Sequence, residues 1–577
     1  MTKVSGSLKK DGQRYEVAVP WVNDRPKLTN NYEMAVSRLK NTEKRLLGQR
    51  ATGEVYKTII GAYQEKGYIR KVENRPREKE SVDGVWYLPV CRPDKSTTKT
   101  RIVFDASAKF NGTSFNDEIH PGPKLQNSLF DVLIRFRRYL VAVVSDIKEM
   151  YLQICLPVQD RPFFRFLWRD LEPQREPEVY EFERLVFGDA SAPFRAQFVS
   201  QENARIHEEE FPIAAETIKE STYMDDSLDS VKPDDIAVEH YHQLTALWEK
   251  SGMEPRKWLS NSSVVLAEIP KDHRAAEIDL DRNSLPPAKT LGVLWLALDD
   301  VFSFHVADQA TDLRLTKRTI LSKVATIFDP LGFLSPFIVR AKILLQEMWS
   351  KGLDWDDAID AGIYTKAENW LNELTVLQHI RVSRCLQKSP EETTNTIHTF
   401  VDASKNAYGA VNYYTADYGD GRVDVTFIAS KTWVCPLTPM TIPCLELLAA
   451  ILGLRLMATI TAVLGIPLSQ ARFWSDSMNV LYWIRGEGRE CRPFVEIGEI
   501  QSQTDPEQWQ YANTKENPAD MCPRGLGAVE LTRSNFWWHG PGFLTKKESE
   551  WPRSKIEKGS DVSTEMKTTF ISSREMF

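Results

Sequence analysis

The string STYMDDSLDS, Ser221 to Ser230, sets Asp225 and Asp226 side by side in an otherwise extended-looking segment. Aspartate is depleted in strands, and adjacent carboxylates repel each other. Neighbouring side chains on a straight strand point to opposite faces, so the two would not share a pocket wall. A chain reversal at Met224-Asp225-Asp226 changes that, because both carboxylates then sit at the tip of a hairpin. A solvated acidic turn accounts for these residues as well, since Asp is a favoured turn residue. The rest of the chain has to decide between the two.

With 577 residues the chain exceeds one hydrophobic core, and roughly three to five domains are expected. Its 42% hydrophobic and 27% charged content is that of a soluble globular protein. Lys plus Arg total 73 against 80 Asp plus Glu, a net charge of −7, so any groove for nucleic acid must be locally basic. The seven cysteines form no CxxC pair and no histidine cluster has zinc spacing, which excludes a disulfide framework and a zinc finger and fits a reducing compartment. Met1 to Gln13 is polar, unlike a signal peptide. From Pro443 to Ile466 the only charged residues are Glu446 and Arg455, nearly the length of a membrane span. An ionised residue near a span's centre costs about 2.5–3.5 kcal/mol, so a helix buried in a soluble domain is expected, and no membrane. Glu446 then becomes a carboxylate near a core, in need of a partner or a metal.

Along the chain, Asn31 to Tyr68 reads as helical, with Val55, Ile59 and Tyr63 on one face and Gly67 as the stop. Val85–Val90 and Arg101–Asp105 read as strands around the basic loop RPDKSTTKT. An apolar strand from Tyr139 ends in Asp146 and is followed by a short helical run. Arg161 to Phe187 reads as strands around a Pro-rich connection, Pro193–His207 as a helix, and Asp235–Ser251 as a helix with Leu244, Leu247 and Trp248 inward. KTLGVLWLAL, from Lys289, reads as one strand, and Thr316–Lys351 as two helices broken at Pro330 to Pro336. From Thr396 the order is strand, strand, strand, helix, strand, helix, which predicts an α/β domain with a mixed sheet. The polar tail from Glu548 is expected to be disordered.

Bringing Asp146 to the hairpin of Asp225 and Asp226 would crowd three carboxylates, which disfavours shared ionisation unless a cation neutralises them. Hard oxygen ligands select Mg²⁺ or Mn²⁺, and a pair of such ions about 3.5–4 Å apart serves phosphoryl transfer. The strings SDIKEMYLQI, FGDASAPFRAQ and YMDD resemble motifs A, B and C of reverse transcriptases, in order and in spacing. GMEPRKW resembles motif D, and LGVLW the primer grip. The wording NNYEMAVSRL, TRIVFDASAK, RKWLSN and SKVATIFDPLGFLSPF is most similar to the BEL/Pao class of long-terminal-repeat retrotransposon polyproteins, up to about Leu544. The resemblance implies that Asp146 and Asp225 hold metal, with Asp226 in support. It places Tyr151 under the incoming sugar, Lys99 and Arg101 on the triphosphate, Gly188 and Gln197 along the nucleotide and template pocket, and Lys257 beside departing pyrophosphate. Core packing is the plain alternative for Tyr151, and a surface lysine for Lys257.

Asp402, Glu446, Asp476 and Asp520 fall on the first strand, the apolar helix, the end of the fourth strand and a helix start of the C-terminal unit. Singly, Asp476 and Asp520 read as helix caps. Jointly, with FVDAS, YGAV, FWSDS and NPAD, they are similar to ribonuclease H, which implies a second two-ion Mg²⁺ (or Mn²⁺) site with all four as ligands. No histidine lies between His398 and His539 to act as the mobile histidine of some relatives. No Asp-Thr-Gly or Asp-Ser-Gly occurs, so the region around Asp329, which resembles a stretch labelled Pao peptidase, reads as thumb and connection.

The fold expected is therefore multidomain α/β and α+β: a right-hand polymerase of fingers, palm and thumb, a connection, and a ribonuclease H-like mixed-sheet domain. Its limits are set at 1–30 for an extension, 31–300 for fingers and palm, 301–395 for thumb and connection, 396–530 for the ribonuclease H-like domain and 531–577 for the tail. Implied partners are an RNA template, a DNA primer, an RNA–DNA hybrid and deoxynucleoside triphosphates. Implied locations are cytoplasmic particles with access to the nucleus. A silent, domesticated nucleic-acid-binding protein is the rival reading, although all seven carboxylates are present.

Overall fold

The computed structural model describes residues 2–24, 26–72, 86–87, 89–91, 102–276, 278, 285, 287–306, 314–389, 391–486 and 494–553. Lys99, Arg101, the whole basic loop after Cys91, and the tail beyond 553 lie outside these residues.

Helices α1 (Tyr32–Gly48) and α2 (Arg50–Glu65) open the chain's first core. The buried face of α2 carries Gly53, Tyr56 and Ile60, whereas Val55 is 46% exposed. The expected face was therefore misplaced by about one residue, because α2 turns its small Gly53 toward the carbonyl end of α1, where a side chain would meet the Leu46 carbonyl. After α3 (Leu129–Phe136) comes strand β1, Val141–Ile147. Its run VAVVSDI lacks polar alternation because both of its faces are covered. Val141 and Val143 enter a core with α4 (Ala192–Ile206), α5 (Pro212–Glu220) and α6 (Asp234–Glu249), while Ala142 and Val144 enter a second core continuous with the C-terminal half.

β1 is flanked by β3 (Asp226–Val231), itself paired with β2 (Thr222–Tyr223), and on its other side by β4 (Pro255–Ser260), all antiparallel. The stretch from Lys289 is a hairpin rather than one strand. β5 (Pro287–Thr290) and β6 (Val293–Leu296) reverse at Leu291-Gly292, both with positive φ (48° and 89°). β7 (Val301–Ser303) and β8 (Val382–Ser383) complete this middle sheet, with helices α7 (Lys317–Thr326) and α8 (Ser335–Ser350) between them in sequence.

The C-terminal sheet has the order β11-β10-β9-β12-β13: Val423–Val434, Ala407–Asp417, Thr394–Ala403, Ala471–Ser475 and Trp509–Tyr511. β9–β11 are antiparallel, and β12 and β13 join in parallel, so the sheet is mixed as predicted. Helix α9 (Ile442–Leu464) is long and apolar enough to cross a membrane, yet 67% of its most apolar window is buried inside the protein. Gly453 lets it lie on the sheet, since a Cβ there would come within 2.5 Å of Val401. Helix α10 (Met478–Arg485) follows β12. The expected disorder at Glu548 does not hold for the first residues of the tail: Glu548 pairs with Arg472 at 2.9 Å, and Trp551 packs its ring 4.8 Å from that of His398.

Two fully buried arginines fasten the acid-bearing sheet to the C-terminal one. Arg137, just past α3, donates to the carbonyls of Ser383 (3.1 Å), Arg384 (3.0 Å), Phe427 (2.6 Å) and Ile428. Arg384 donates to the carbonyls of Phe136, Tyr139 and Leu140 and forks onto Asp300. Burial, then the neighbouring Arg384, pulls the Arg137 guanidinium down to about 9. Two buried cations against one carboxylate persist because carbonyl oxygens take most of their donors.

Candidate active sites

The register of the first sheet places Asp226 directly opposite Asp146, with Leu228 opposite Val144 on the same face. The turn is Met224-Asp225, and Asp226 already pairs with Tyr223, so only Asp225 sits at the tip. Met224 takes φ 59°, as a tight two-residue hairpin requires. Two further contacts hold the turn. The Ile147 amide donates to the Asp225 carbonyl at 2.8 Å, and the amide side chain of Gln197, buried on α4, donates to the Met224 carbonyl at 3.1 Å. Gln197 thus positions the turn from behind.

Like charges directly opposite on adjacent strands destabilise a sheet, and a cation stands beside this pair. Lys257 Nζ lies 3.0 Å from Asp146 Oδ2. β4 carries a bulge between Arg256 and Leu259, and Lys257 sits in it with φ 54°, a left-handed conformation that a lysine rarely adopts.

Tyr151 follows on a short 3-10 turn, Met150–Gln153, with its ring 4.7 Å from Phe187 and 9% of its surface exposed. Burial, then the charges of Asp225 and Asp189, pushes its phenol upward, so the ring is core-packed and adjacent to the acid turn at once. Gly188 has φ 114°, and a Cβ there would lie 2.0 Å from the Phe104 carbonyl. Sequence reading missed the group behind this loop. Asp189 accepts from the amide and hydroxyl of Ser191 and pairs with fully buried Arg195.

The second cluster is more enclosed. Asp402 on β9 is 8% exposed, and its carboxyl is pushed up to about 8 by burial first, then by Asp476, Asp520 and Glu446. All four predicted residues therefore act on one point. Each neighbour also has its own polar support. Ser477 donates to Glu446, Thr514 to Asp476 at 2.7 Å, and Arg524 pairs with Asp520 at 2.7 Å. Asn517, fully buried, ties the elements together. Its Nδ2 donates to the Val401 carbonyl (3.0 Å) and to Asp476 (3.4 Å), while its Oδ1 accepts from the Ala519 amide (3.1 Å). Asp476 lies one residue past β12, and Asp520 ends a 3-10 turn, Pro518–Asp520.

Among the described residues, no three His, Cys, Asp or Glu side chains stand in a ready metal-binding arrangement. The carboxylates turn toward Lys257, Ser477, Thr514 and Arg524 instead. The donor set is nonetheless all carboxylate oxygen, and burial first, then three neighbouring acids, raises Asp402, so the residues fit a hard divalent cation.

Two other residues have plain roles. His398 is a core histidine: the Trp474 indole donates to its Nδ1 at 3.2 Å, its Nε2 meets the Thr415 hydroxyl at 3.2 Å, and burial pulls it down to about 3. Asp329 accepts the amides of Phe333 (2.9 Å) and Leu334 (2.7 Å), a turn-capping carboxylate in the region that resembles a peptidase label.

Residues 316–477 match the family model described as the Pao retrotransposon-like RNaseH-like domain. That segment is similar to the Pao retrotransposon class. The Pao match runs from the start of α7 through Asp402, Glu446 and Asp476, and it crosses the limit at 395 that the sequence pattern suggested. It ends before Asp520. Among solved structures, a foamy viral protease–reverse transcriptase in complex with double-stranded DNA aligns at TM-score 0.49 and 14% identity, over 78% of this chain and 68% of that one. No curated protein matches.

Proposed function

We propose that this chain is the polymerase and nuclease part of a Pao-class retroelement polyprotein: an RNA- and DNA-templated DNA polymerase joined to a ribonuclease H. The sheet of β1–β4 serves as the palm, the N-terminal helices α1 and α2 as part of the fingers, the middle sheet with α7 and α8 as thumb and connection, and the β9–β13 unit as the nuclease. The observation that carries the reading is the register that sets Asp226 opposite Asp146 with Asp225 at the adjoining tip.

Asp146 and Asp225, supported by Asp226, would hold one pair of Mg²⁺ or Mn²⁺ ions, and Asp402, Glu446, Asp476 and Asp520 the other. When bound, such ions neutralise the attacking and leaving oxygens of a phosphoryl transfer. The chain's own residues do the rest. Gln197 and the Ile147 amide fix the acid turn, and the left-handed Lys257 offsets the Asp146–Asp226 repulsion and stands where a departing anion would be met. Tyr151 presents a rigid ring beside the carboxylates, suited to excluding a 2′-hydroxyl. In the nuclease, Asn517 and Thr514 orient Asp476 toward Asp402. Lys99 and Arg101 remain the proposed triphosphate ligands, with deoxynucleoside triphosphates, a primed template and an RNA–DNA hybrid as substrates, in cytoplasmic particles with nuclear access.

The test is primer extension on an RNA template with Mg²⁺, run beside cleavage of an RNA–DNA hybrid by the same preparation. Both activities are expected. Hybrid cleavage without extension would reduce the first site to a relic, and neither activity would overturn the reading.

A further inference from the structure

A cavity of about 290 Å³ lies between β8, the first half of β11 and the C-terminal helical segment. His379, Arg381, Lys388, Thr532, Trp538 and His539 line it, and no aspartate or glutamate does, in a chain whose net charge is −7. It is separate from the Asp402 cluster. Phe427 in its wall pairs across β10 with Tyr413, and Tyr413 with His398, which precedes Asp402 along β9 by about 13 Å at a strand's rise. It adjoins the arginine clamp, since Arg137 bonds the carbonyls of Ser383 and Phe427, both wall residues. The cavity therefore lies between the β8 end of the middle sheet and the C-terminal unit, beside the clamp.

We propose that this cavity is a binding pocket for the phosphate of a nucleotide unit, either within a nucleic-acid strand or in a free nucleotide. Arg381 is held in place through one nitrogen only. Its Nη1 donates to the Ser303 hydroxyl (2.7 Å) and the Gln378 carbonyl (2.6 Å), and its Nε and Nη2 have no acceptor among the described residues. That leaves one edge of a planar fork free, the edge that matches two phosphate oxygens. Lys388 is exposed and makes no ion pair among the described residues. Cations that converge on one concavity without a counter-charge repel one another, and an anion relieves them. The Trp538 indole N–H is taken by the Leu531 carbonyl at 2.8 Å, which leaves its ring as an apolar wall for a sugar or base. The volume exceeds that of a bare phosphate and approaches the lower range of small-molecule sites.

The strand-bound form rests on the polymerase and ribonuclease H reading, and the free-nucleotide form does not. The experiment uses the full chain in EDTA, so that metal-dependent binding at the carboxylates is silent. Binding of 5′-AMP and of an RNA–DNA hybrid is measured for the parent, Arg381→Gln, Lys388→Gln and the control Lys40→Gln, which removes the same charge from exposed α1. The pocket variants are expected to weaken at least one ligand by roughly fivefold or more. If the strand is the ligand, the salt dependence of hybrid affinity also falls by about one unit of log–log slope per lost contact. Loss confined to AMP assigns the pocket to a free nucleotide. If neither ligand departs from the Lys40→Gln control, the proposal is overturned. Arg381 also braces Ser303, so Lys388→Gln decides should Arg381→Gln fail to fold. A parent without polymerase or nuclease activity but with pocket-dependent AMP binding would sink the function and keep the pocket. An active parent with no such dependence would sink the pocket alone.

Discussion

The two carboxylate clusters solve one electrostatic problem in opposite ways. On the first sheet, Asp146 and Asp226 face each other across a strand register at the sheet's end, and a lysine is brought to them by a strained bulge. On the second, Asp402 is buried among three carboxylates, with Arg524 on Asp520 but no cation on Asp402 itself among the described residues, and side chains of Ser477, Thr514 and Asn517 hold its neighbours in place. The first carries its own counter-charge in Lys257. The second is more enclosed, and burial, then the neighbouring acids, holds the Asp402 carboxyl up at about 8. The Arg137–Arg384 clamp joins them without mixing them, because it bonds backbone carbonyls of both halves and neither set of acids.

The comparison breaks most visibly at Asp402. Asp402→Asn is expected to lower hybrid cleavage by about a thousandfold or more, several kcal/mol of barrier, with primer extension unchanged. Parallel loss of extension in a folded variant would mean that the clusters are coupled. Next comes sugar choice at the first site. Tyr151→Val should improve ribonucleotide incorporation relative to deoxynucleotide by roughly a hundredfold, at about 1.4 kcal/mol per decade. An unchanged ratio of incorporation efficiencies would leave Tyr151 as a core ring stacked on Phe187. Asn517→Ala should cut cleavage by roughly tenfold and raise the Mg²⁺ concentration needed for half-maximal cleavage. It also removes the buried bond to the Val401 carbonyl, a loss of about 1 kcal/mol. A fall in stability with an unmoved Mg²⁺ midpoint would make Asn517 merely structural.

The smallest expected effect is on stability alone. Burial pushes the Asp329 carboxyl from an ordinary 3.8 to about 6, against the pull of three amides. The native state then holds that proton more tightly than the unfolded chain. Its contribution is fully present below about pH 4, is lost as pH rises through about 6, and amounts to no more than about 3 kcal/mol. Asp329→Asn should flatten this part of the Tm–pH curve, and an identical slope in parent and variant would refute the assignment.

Much of the layout was legible because it rests on local rules. The β1 run, the α6 face of Leu244, Leu247 and Trp248, and the C-terminal order of elements are set by periodicity and turn residues. The approach of the Asp146 strand to the hairpin of Asp225 and Asp226 was legible from a strand end and a turn, whereas the second acid set was read from its resemblance to ribonuclease H. What stayed hidden depends on partners far away in sequence. The α2 face turns Gly53 onto the distant Leu171 as well as onto the end of α1. The Leu291-Gly292 turn lacks the polar residue that usually marks one. Arg137, Arg384 and Asp300 become a clamp only when three sheets meet. The resemblance set Lys257 beside departing pyrophosphate, with a surface lysine as the alternative, but its pairing with Asp146 depends on a bulge that the sequence does not announce.

The most direct test is Asp225→Asn assayed for both activities on one duplex, a DNA primer annealed to an RNA template, with Mg²⁺. Two independent sites predict that extension falls by about a thousandfold while cleavage of the RNA strand stays within about twofold of the parent. Extension above about a tenth of the parent rate, or an equal loss of both activities in a folded chain, would contradict the account.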